Sequence, residues 1–110
     1  MNELVQLLAT TQKIEFLRPD KTAKALKESI DRNYLYINFT STGTELGVEL
    51  FEEACDYSAA NFEEETGSVT ITGYLILNYE KVKCEAKIDV KTCEGTGQII
   101  PVADTEYQLL

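Results

Sequence analysis

The run KVKCEAKIDVK at residues 81–91 decides the fold class. Positions from Val82 to Val90 at every second residue are apolar or small, and the positions between them, from Lys81 to Lys91, are all charged. Strand side chains point alternately to two faces, so this period of two predicts a strand with one buried and one solvent-facing side. Such a strand is typical of an antiparallel sheet, because strands of parallel sheets are buried on both faces.

Further strand patterns lie on both sides of this run. Residues 68–78 have apolar side chains on one face, and Tyr79-Glu80 predicts a tight turn into the strand at 81–91. Residues 34–40 and 45–50 alternate in the same way around the turn signal at 41–44, which predicts a second hairpin. Glu94–Gly97 predicts a turn before a last strand, Gln98–Val102, which Pro101 places on an edge or ends early.

Helical periodicity is confined to the beginning of the chain. Residues 2–12 carry an apolar stripe at Leu4, Leu7 and Leu8, and residues 21–32 carry a second stripe after the candidate N-cap Asp20. Residues 13–17 alternate over too few positions to choose between the end of the first helix and a short edge strand.

These patterns predict an α+β fold in which two N-terminal helices pack on an antiparallel sheet of about four to five strands, with the strand order left open. The length suits a single domain, residues 1–110. The predicted core combines one face of each element: Leu4, Leu8, Leu26, Ile30, Leu35, Ile37, Phe39, Val48, Leu50, Val69, Ile71, Leu75, Val82, Cys84, Ile88 and Val90.

Charge is distributed unevenly along the chain, which has a net charge of −9. No lysine or arginine occurs between Asn33 and Glu80, and eight acidic residues fall between Glu45 and Glu65. We call residues 45–65 the acidic segment. A surface of this sign disfavours direct contact with nucleic acid or an anionic membrane, and it favours a basic surface on another protein.

Three interpretations of the acidic segment remain open: a solvated face without a partner, a docking surface for a basic partner, and a calcium site. In the second, aromatic side chains such as Tyr57 or Phe62 serve as anchors among the carboxylates. The candidate partner-binding residues are Glu49, Glu52, Glu53, Asp56, Tyr57, Glu63, Glu64 and Glu65. It is open whether residues 51–62 form a helix or a loop, and the alanines favour a helix.

The sequence has few of the residues and motifs that are typical of catalytic sites. Histidine is absent, which removes the commonest general base, and no phosphate-binding glycine motif occurs. Cys84 lies on the apolar face of the best strand, Cys93 lies beside a turn where a thiol is commonly exposed, and Cys55 lies among acids. The odd cysteine count favours reduced thiols in a cytoplasmic protein, and we expect no enzyme activity, metal or other cofactor.

The sequence therefore predicts a non-catalytic acidic binding protein. The specific hypothesis is an inhibitor or immunity-type protein that occupies a basic, nucleic-acid-handling site on a partner protein by charge mimicry. The alternatives are a small-molecule or metal-binding module and a homo-oligomeric structural subunit, in which the lysines of residues 81–91 meet the acidic segment of a neighbouring copy.

Overall fold

The computed structural model describes residues 3–103, whose strands form a closed antiparallel barrel in the order β1-β2-β3-β4-β5-β6. Successive strands are neighbours in the wall, and β6 returns to pair with β1. The elements are α1 (Glu3–Leu7), β1 (Gln12–Glu15), α2 (Ala23–Asp31), β2 (Tyr34–Phe39), β3 (Thr44–Leu50), a 3₁₀ helix (Glu52–Ala54), β4 (Ser68–Leu77), β5 (Glu80–Asp89) and β6 (Glu94–Pro101).

The predicted α+β fold, two N-terminal helices packed on a sheet of four to five strands, is wrong, because β1 closes a barrel of six strands and α2 is the only helix of more than five residues within 3–103. Ile14 of β1 pairs with Phe39 of β2 on one side and with Gly95 of β6 on the other. The first predicted helix shortens to α1, while residue 2 lies outside the described residues and Leu7 is exposed. Closure of the barrel depends on pairing between distant parts of the chain. The four residues of β1 are too few for their sequence pattern to predict that pairing.

The hairpin of β4 and β5 confirms the strands predicted there. Pairing runs without interruption from Ser68↔Asp89 to Leu77↔Glu80. The turn residues are Asn78 and Tyr79, one position earlier than predicted, with φ of 49° and 68°. Positive φ at both positions is the geometry of a type I′ turn, which matches the twist of the strands.

The hairpin of β2 and β3 is also confirmed, with pairing from Tyr34↔Glu49 to Phe39↔Thr44. Leu35, Ile37 and Phe39 are fully buried inside the barrel. The outer face of β2 instead presents Tyr34 and Tyr36, which are partly exposed.

The turn predicted at residues 94–97 is wrong, because these residues belong to β6. The chain turns earlier, where the Asp89 carboxylate accepts hydrogen bonds from the backbone N–H groups of Lys91 and Thr92, both at 2.9 Å. Gly95 is needed for close approach inside the sheet, since a Cβ there would meet the carbonyl of Lys87. Of the two alternatives for Pro101, the early end is confirmed, since β6 stops there. The edge position is wrong, because β6 pairs with β5 on one side and β1 on the other.

Most of the predicted core is buried, although Leu4 and Leu75 are only partly so. The core also contains buried residues of β1, β6 and the turns that were not predicted, among them Ile14, Phe16, Cys93 and Ile99. The predicted exposure of a thiol at position 93 is therefore wrong.

Helix α2 packs on β2 and turns Leu26 and Ile30 inward. Its N-cap is Thr22 instead of the predicted Asp20, since Thr22 Oγ1 accepts the Ala25 N–H at 3.1 Å. Among residues 3–103, no helix is long and apolar enough to cross a lipid bilayer.

Residues 51–67, here called the connecting loop, lie over the outer face of β4. The ring of Phe51 meets Tyr74 edge-on at 5.8 Å between centroids, and Asp56 bridges to Thr70. This cover explains why Thr72 and Tyr74 are buried although they point out of the barrel. The favoured helix over 51–62 is wrong, because its helical part is limited to the 3₁₀ helix Glu52–Ala54.

Candidate functional site

A groove runs between α2 and the connecting loop. It consists of two adjoining depressions of about 550 and 390 Å³, and both are bordered by Lys27 of α2 and Phe62 of the loop. We call the pair the α2 groove and the smaller depression the Glu52 pocket. The groove exists because the connecting loop packs on β4 while α2 packs on β2, which leaves a cleft between them.

Four of the predicted site residues border this groove. Glu63 and Glu65 line the larger depression, while Glu52 and Tyr57 line the Glu52 pocket. The folded chain thus brings together acidic residues from both ends of the connecting loop. On the other bank, α2 adds Glu28 to the larger depression and Asp31 to the smaller one.

The other four predicted residues border neither depression. Glu49 lies on the outer face of β3, between Tyr34 and Tyr74 in the sheet. The Asp56 carboxylate accepts hydrogen bonds from the Ser58 hydroxyl and backbone N–H, which hold the Asp56 pKa below its usual value. Glu53 and Glu64 are exposed.

The carboxylates of the predicted site are not neutralised by the lysines and arginines that the structure describes. Within residues 3–103, none of the seven acidic side chains in that set makes an ion pair. Elsewhere, Glu45 pairs with Arg18 and Glu94 pairs with Lys13 and Lys21. The α2 groove therefore keeps a negative excess that a cationic ligand can meet.

Tyr57 is the most constrained of the predicted site residues. Its hydroxyl oxygen is buried and has no hydrogen-bond partner among the described residues. The nearby Cys55 thiol, a weak acceptor, already accepts the Thr72 N–H and lies within hydrogen-bond reach of the Phe51 and Thr72 carbonyls. Burial is the main cause that raises the pKa of Tyr57 far above its ordinary value. The neighbouring Cys55 thiol and then the charges of Glu52 and Asp31 raise it further.

The ion pair on the α2 side of the groove was not among the predicted site residues. Lys27 and Asp31 are four positions apart in the sequence, a spacing that indicates an ordinary stabilising pair on a helix surface. The pair forms, with distances of 2.8 and 2.9 Å from the Lys27 ammonium to the two Asp31 oxygens. The sequence carried no signal that Phe62, 31 residues beyond Asp31, would face the same pair.

Cys84 and Cys93 are buried, which limits their reactivity. Burial first, and then the charge of Glu85, raises the pKa of the Cys84 thiol to about 12. Burial also raises the pKa of Cys93, with a weaker opposing effect from Lys21. Both shifts reduce the thiolate fraction that a nucleophile or metal ligand needs. Across the described part of the chain, no three side chains of His, Cys, Asp or Glu converge as a metal site.

The groove combines carboxylates with the rings of Tyr57 and Phe62, and aromatic rings are enriched at protein–protein interfaces. The chain belongs to the family described as core binding factor beta subunit, whose profile matches residues 19–108. This is a non-catalytic family that acts through protein–protein interaction, in agreement with the sequence-based expectation of a binding protein. A search of curated proteins found no match.

Proposed function

We propose that this chain is a non-catalytic subunit that binds a Runt-domain transcription factor through the acidic α2 groove. The family match over residues 19–108 carries the proposal, because subunits of this family bind Runt-domain proteins. The structure supports the choice of surface, since the aromatic rings of the groove are flanked by Glu52, Glu63 and Glu65, which make no ion pair with residues 3–103.

Charge is the second support. Proteins that bind DNA carry lysine and arginine surfaces, because each phosphate contact needs a cation. A chain with net charge −9 is attracted to such a partner at long range, which speeds association at low salt. The four remaining predicted site residues, Glu49, Glu53, Asp56 and Glu64, act in this steering while the groove residues make the contact.

The test is a binding titration with a purified Runt-domain protein from the same source. The E63Q/E65Q double variant removes two carboxylates from the larger depression. The matched control, E3Q/E85Q, removes two carboxylates from α1 and β5. We expect E63Q/E65Q to weaken binding several-fold more than the control does, and higher salt to weaken all of these complexes. Equal losses in the two variants would exclude the groove as the contact surface.

Duplex DNA added to the same titration separates a subunit from an inhibitor. A charge mimic that occupies the DNA-binding surface is displaced by DNA, whereas a subunit stays bound while its partner binds DNA. The family favours the subunit, so we expect a ternary complex. Displacement by DNA would instead support the inhibitor hypothesis that the acidic sequence suggested.

A further inference from the structure

The Glu52 pocket already holds one cation that belongs to the chain itself. The Lys27 ammonium bonds both oxygens of Asp31 and lies 5.9 Å from the centroid of the Phe62 ring. An ammonium over an aromatic face and beside a carboxylate is a cation–π arrangement. The pocket is therefore built to stabilise positive charge.

Lys27 neutralises the pocket incompletely. Two carboxylates, Asp31 and Glu52, border the depression, and Glu52 makes no ion pair with any residue between 3 and 103. The Lys27–Asp31 pair is also weakly held, since the two side chains are 48% and 59% exposed and exposed pairs contribute little. A second cation with better geometry can compete for this position.

The barrel shows elsewhere how such a cation is arranged. The guanidinium of Arg18 lies 5.7 Å from the centroid of the Tyr36 ring, and its Nε is 3.0 Å from a carboxylate oxygen of Glu45. The Glu52 pocket offers the same two components, because Tyr57 and Phe62 supply rings and Glu52 supplies a carboxylate without a cation from the described chain.

We propose that the Glu52 pocket binds an arginine side chain of the partner protein, and that this arginine displaces the Lys27 ammonium from the Phe62 ring. The inference rests on the proposed function for the identity of the partner. The preference of the pocket for a cation follows from its own residues and does not depend on that identity. Arginine fits better than lysine, because a planar guanidinium stacks on a ring while it donates two hydrogen bonds to one carboxylate.

Lys27 acts in this scheme as an internal competitor. When the pocket is empty, its ammonium occupies the Asp31 and Phe62 positions. Its flexible stem lets it move to solvent when the arginine enters. Removal of the Lys27 charge should therefore strengthen arginine binding beyond the effect of the charge change itself.

The first experiment uses a capped Gly-Arg-Gly peptide as the probe, followed by amide chemical shifts of the full chain. Peptides with citrulline or lysine at the central position are the comparisons, since citrulline has nearly the shape of arginine without its charge. We expect saturable millimolar binding of the arginine peptide with shifts at Asp31, Glu52 and Phe62, weaker binding of lysine and none of citrulline. Equal responses to arginine and citrulline would overturn the proposal.

Two pairs of matched variants locate the binding. E52Q and E53Q remove one charge each from adjacent residues of the 3₁₀ helix, but Glu52 borders the pocket and Glu53 does not. K27Q and K24Q remove one charge each from α2. Lys27 borders the Glu52 pocket, whereas Lys24 borders only the larger depression of the groove. We expect E52Q to weaken peptide binding several-fold more than E53Q, and K27Q to strengthen it more than K24Q. The proposal fails if the members of each pair behave alike.

The same four variants, titrated with the Runt-domain protein, separate this inference from the proposed function. If the partner binds wild type but E52Q and E53Q weaken binding equally, the arginine pocket is wrong and the proposed function stands. If the arginine peptide binds as expected and the Runt-domain protein does not bind, the proposed function is wrong and the pocket stands.

Discussion

The hairpin of β4 and β5 and the connecting loop are adjacent in the sequence, yet they are stabilised differently. The hairpin has continuous backbone pairing and fully buried side chains such as Val69, Ile71 and Ile88. The connecting loop has isolated bridges, exposed acids and no fully buried side chain. The difference predicts that the hairpin contributes more to the stability of the barrel than the loop does. A less stable segment suits the binding role proposed for the loop, since ligand-binding segments are commonly among the less stable parts of a fold.

The largest expected effect comes from a core truncation in the hairpin. Ile88→Ala leaves a cavity at a fully buried position of β5 and should cost about 2–5 kcal/mol of unfolding free energy. Phe62→Ala in the loop removes a half-buried ring and should cost about 1–2 kcal/mol. Urea unfolding followed by circular dichroism measures both. A larger loss for Phe62→Ala would reverse the assignment of stability to the hairpin.

A comparison of two glycines tests how the loop is fixed to the barrel. Gly67, at the end of the connecting loop, has a φ of 79°, and a Cβ there would meet the backbone carbonyl of Ala59. Gly43, in the turn between β2 and β3, has a φ of 68° and open space around it. Gly43→Ala should cost about 1–2 kcal/mol from backbone strain. Gly67→Ala should cost about 1–3 kcal/mol more, because the close contact adds to the strain.

Equal losses of unfolding free energy for the two glycine variants, measured by urea unfolding, would show that the backbone at Ala59 moves away from the new Cβ without a cost in stability. The packing of the loop would then not be fixed by that contact, and the shape of the α2 groove could change with it. A selective loss at Gly67 would support a preformed groove.

The same contrast explains which parts of the fold were predictable. Strands with strict alternation, such as Val82 to Val90, have one buried face, and a shift by one residue would expose that face. The local sequence is therefore enough to predict such strands, and both hairpins were predicted. Strand β1 was only one of two alternatives for residues 13–17, because Ile14 gains its burial from pairing with Phe39 and Gly95, which are far away in the chain.

The candidate site was predictable to a lesser degree. Composition identified the acidic residues of the loop, since the absence of lysine and arginine there is visible without a structure. The opposite bank of the groove was not visible, because Lys27 and Asp31 resemble any surface pair on a helix. A groove depends on how α2 and the loop are placed in space, which no local pattern encodes.

A further prediction concerns the buried hydroxyl of the loop. Tyr57→Phe removes a polar atom that is buried without a partner among the described residues, so it should raise the unfolding free energy by about 1 kcal/mol. Tyr79→Phe is the control, because Tyr79 in the hairpin turn is fully exposed and its hydroxyl is solvated. Thermal unfolding measures both, and a destabilised Tyr57→Phe variant would show that the hydroxyl has a partner in solution.

The smallest expected effect is a pH dependence that differs between the two regions. Hydrogen bonds from the Thr92 and Lys91 backbone lower the pKa of Asp89 at the end of the hairpin, and those from Ser58 lower the pKa of Asp56 in the loop. A carboxyl whose folded pKa lies below its unfolded value near 3.9 stabilises the fold above that pH, and the contribution is lost as pH falls through the folded pKa. Asp89→Asn should therefore be less stable than wild type at about pH 6, and the gap should close towards about pH 2.5.

Asp56→Asn should show a smaller gap over the same range, because the Asp56 bonds connect neighbouring residues of an exposed loop, while the Asp89 bonds hold the turn that leads into β6. Denaturant midpoints measured across the pH range test the difference. If Asp56→Asn showed the larger gap, the loop would contribute more to the stability of the barrel than its sparse pairing indicates. The α2 groove would then be a rigid part of the fold, and its affinity for a cation would depend less on ordering the loop upon binding.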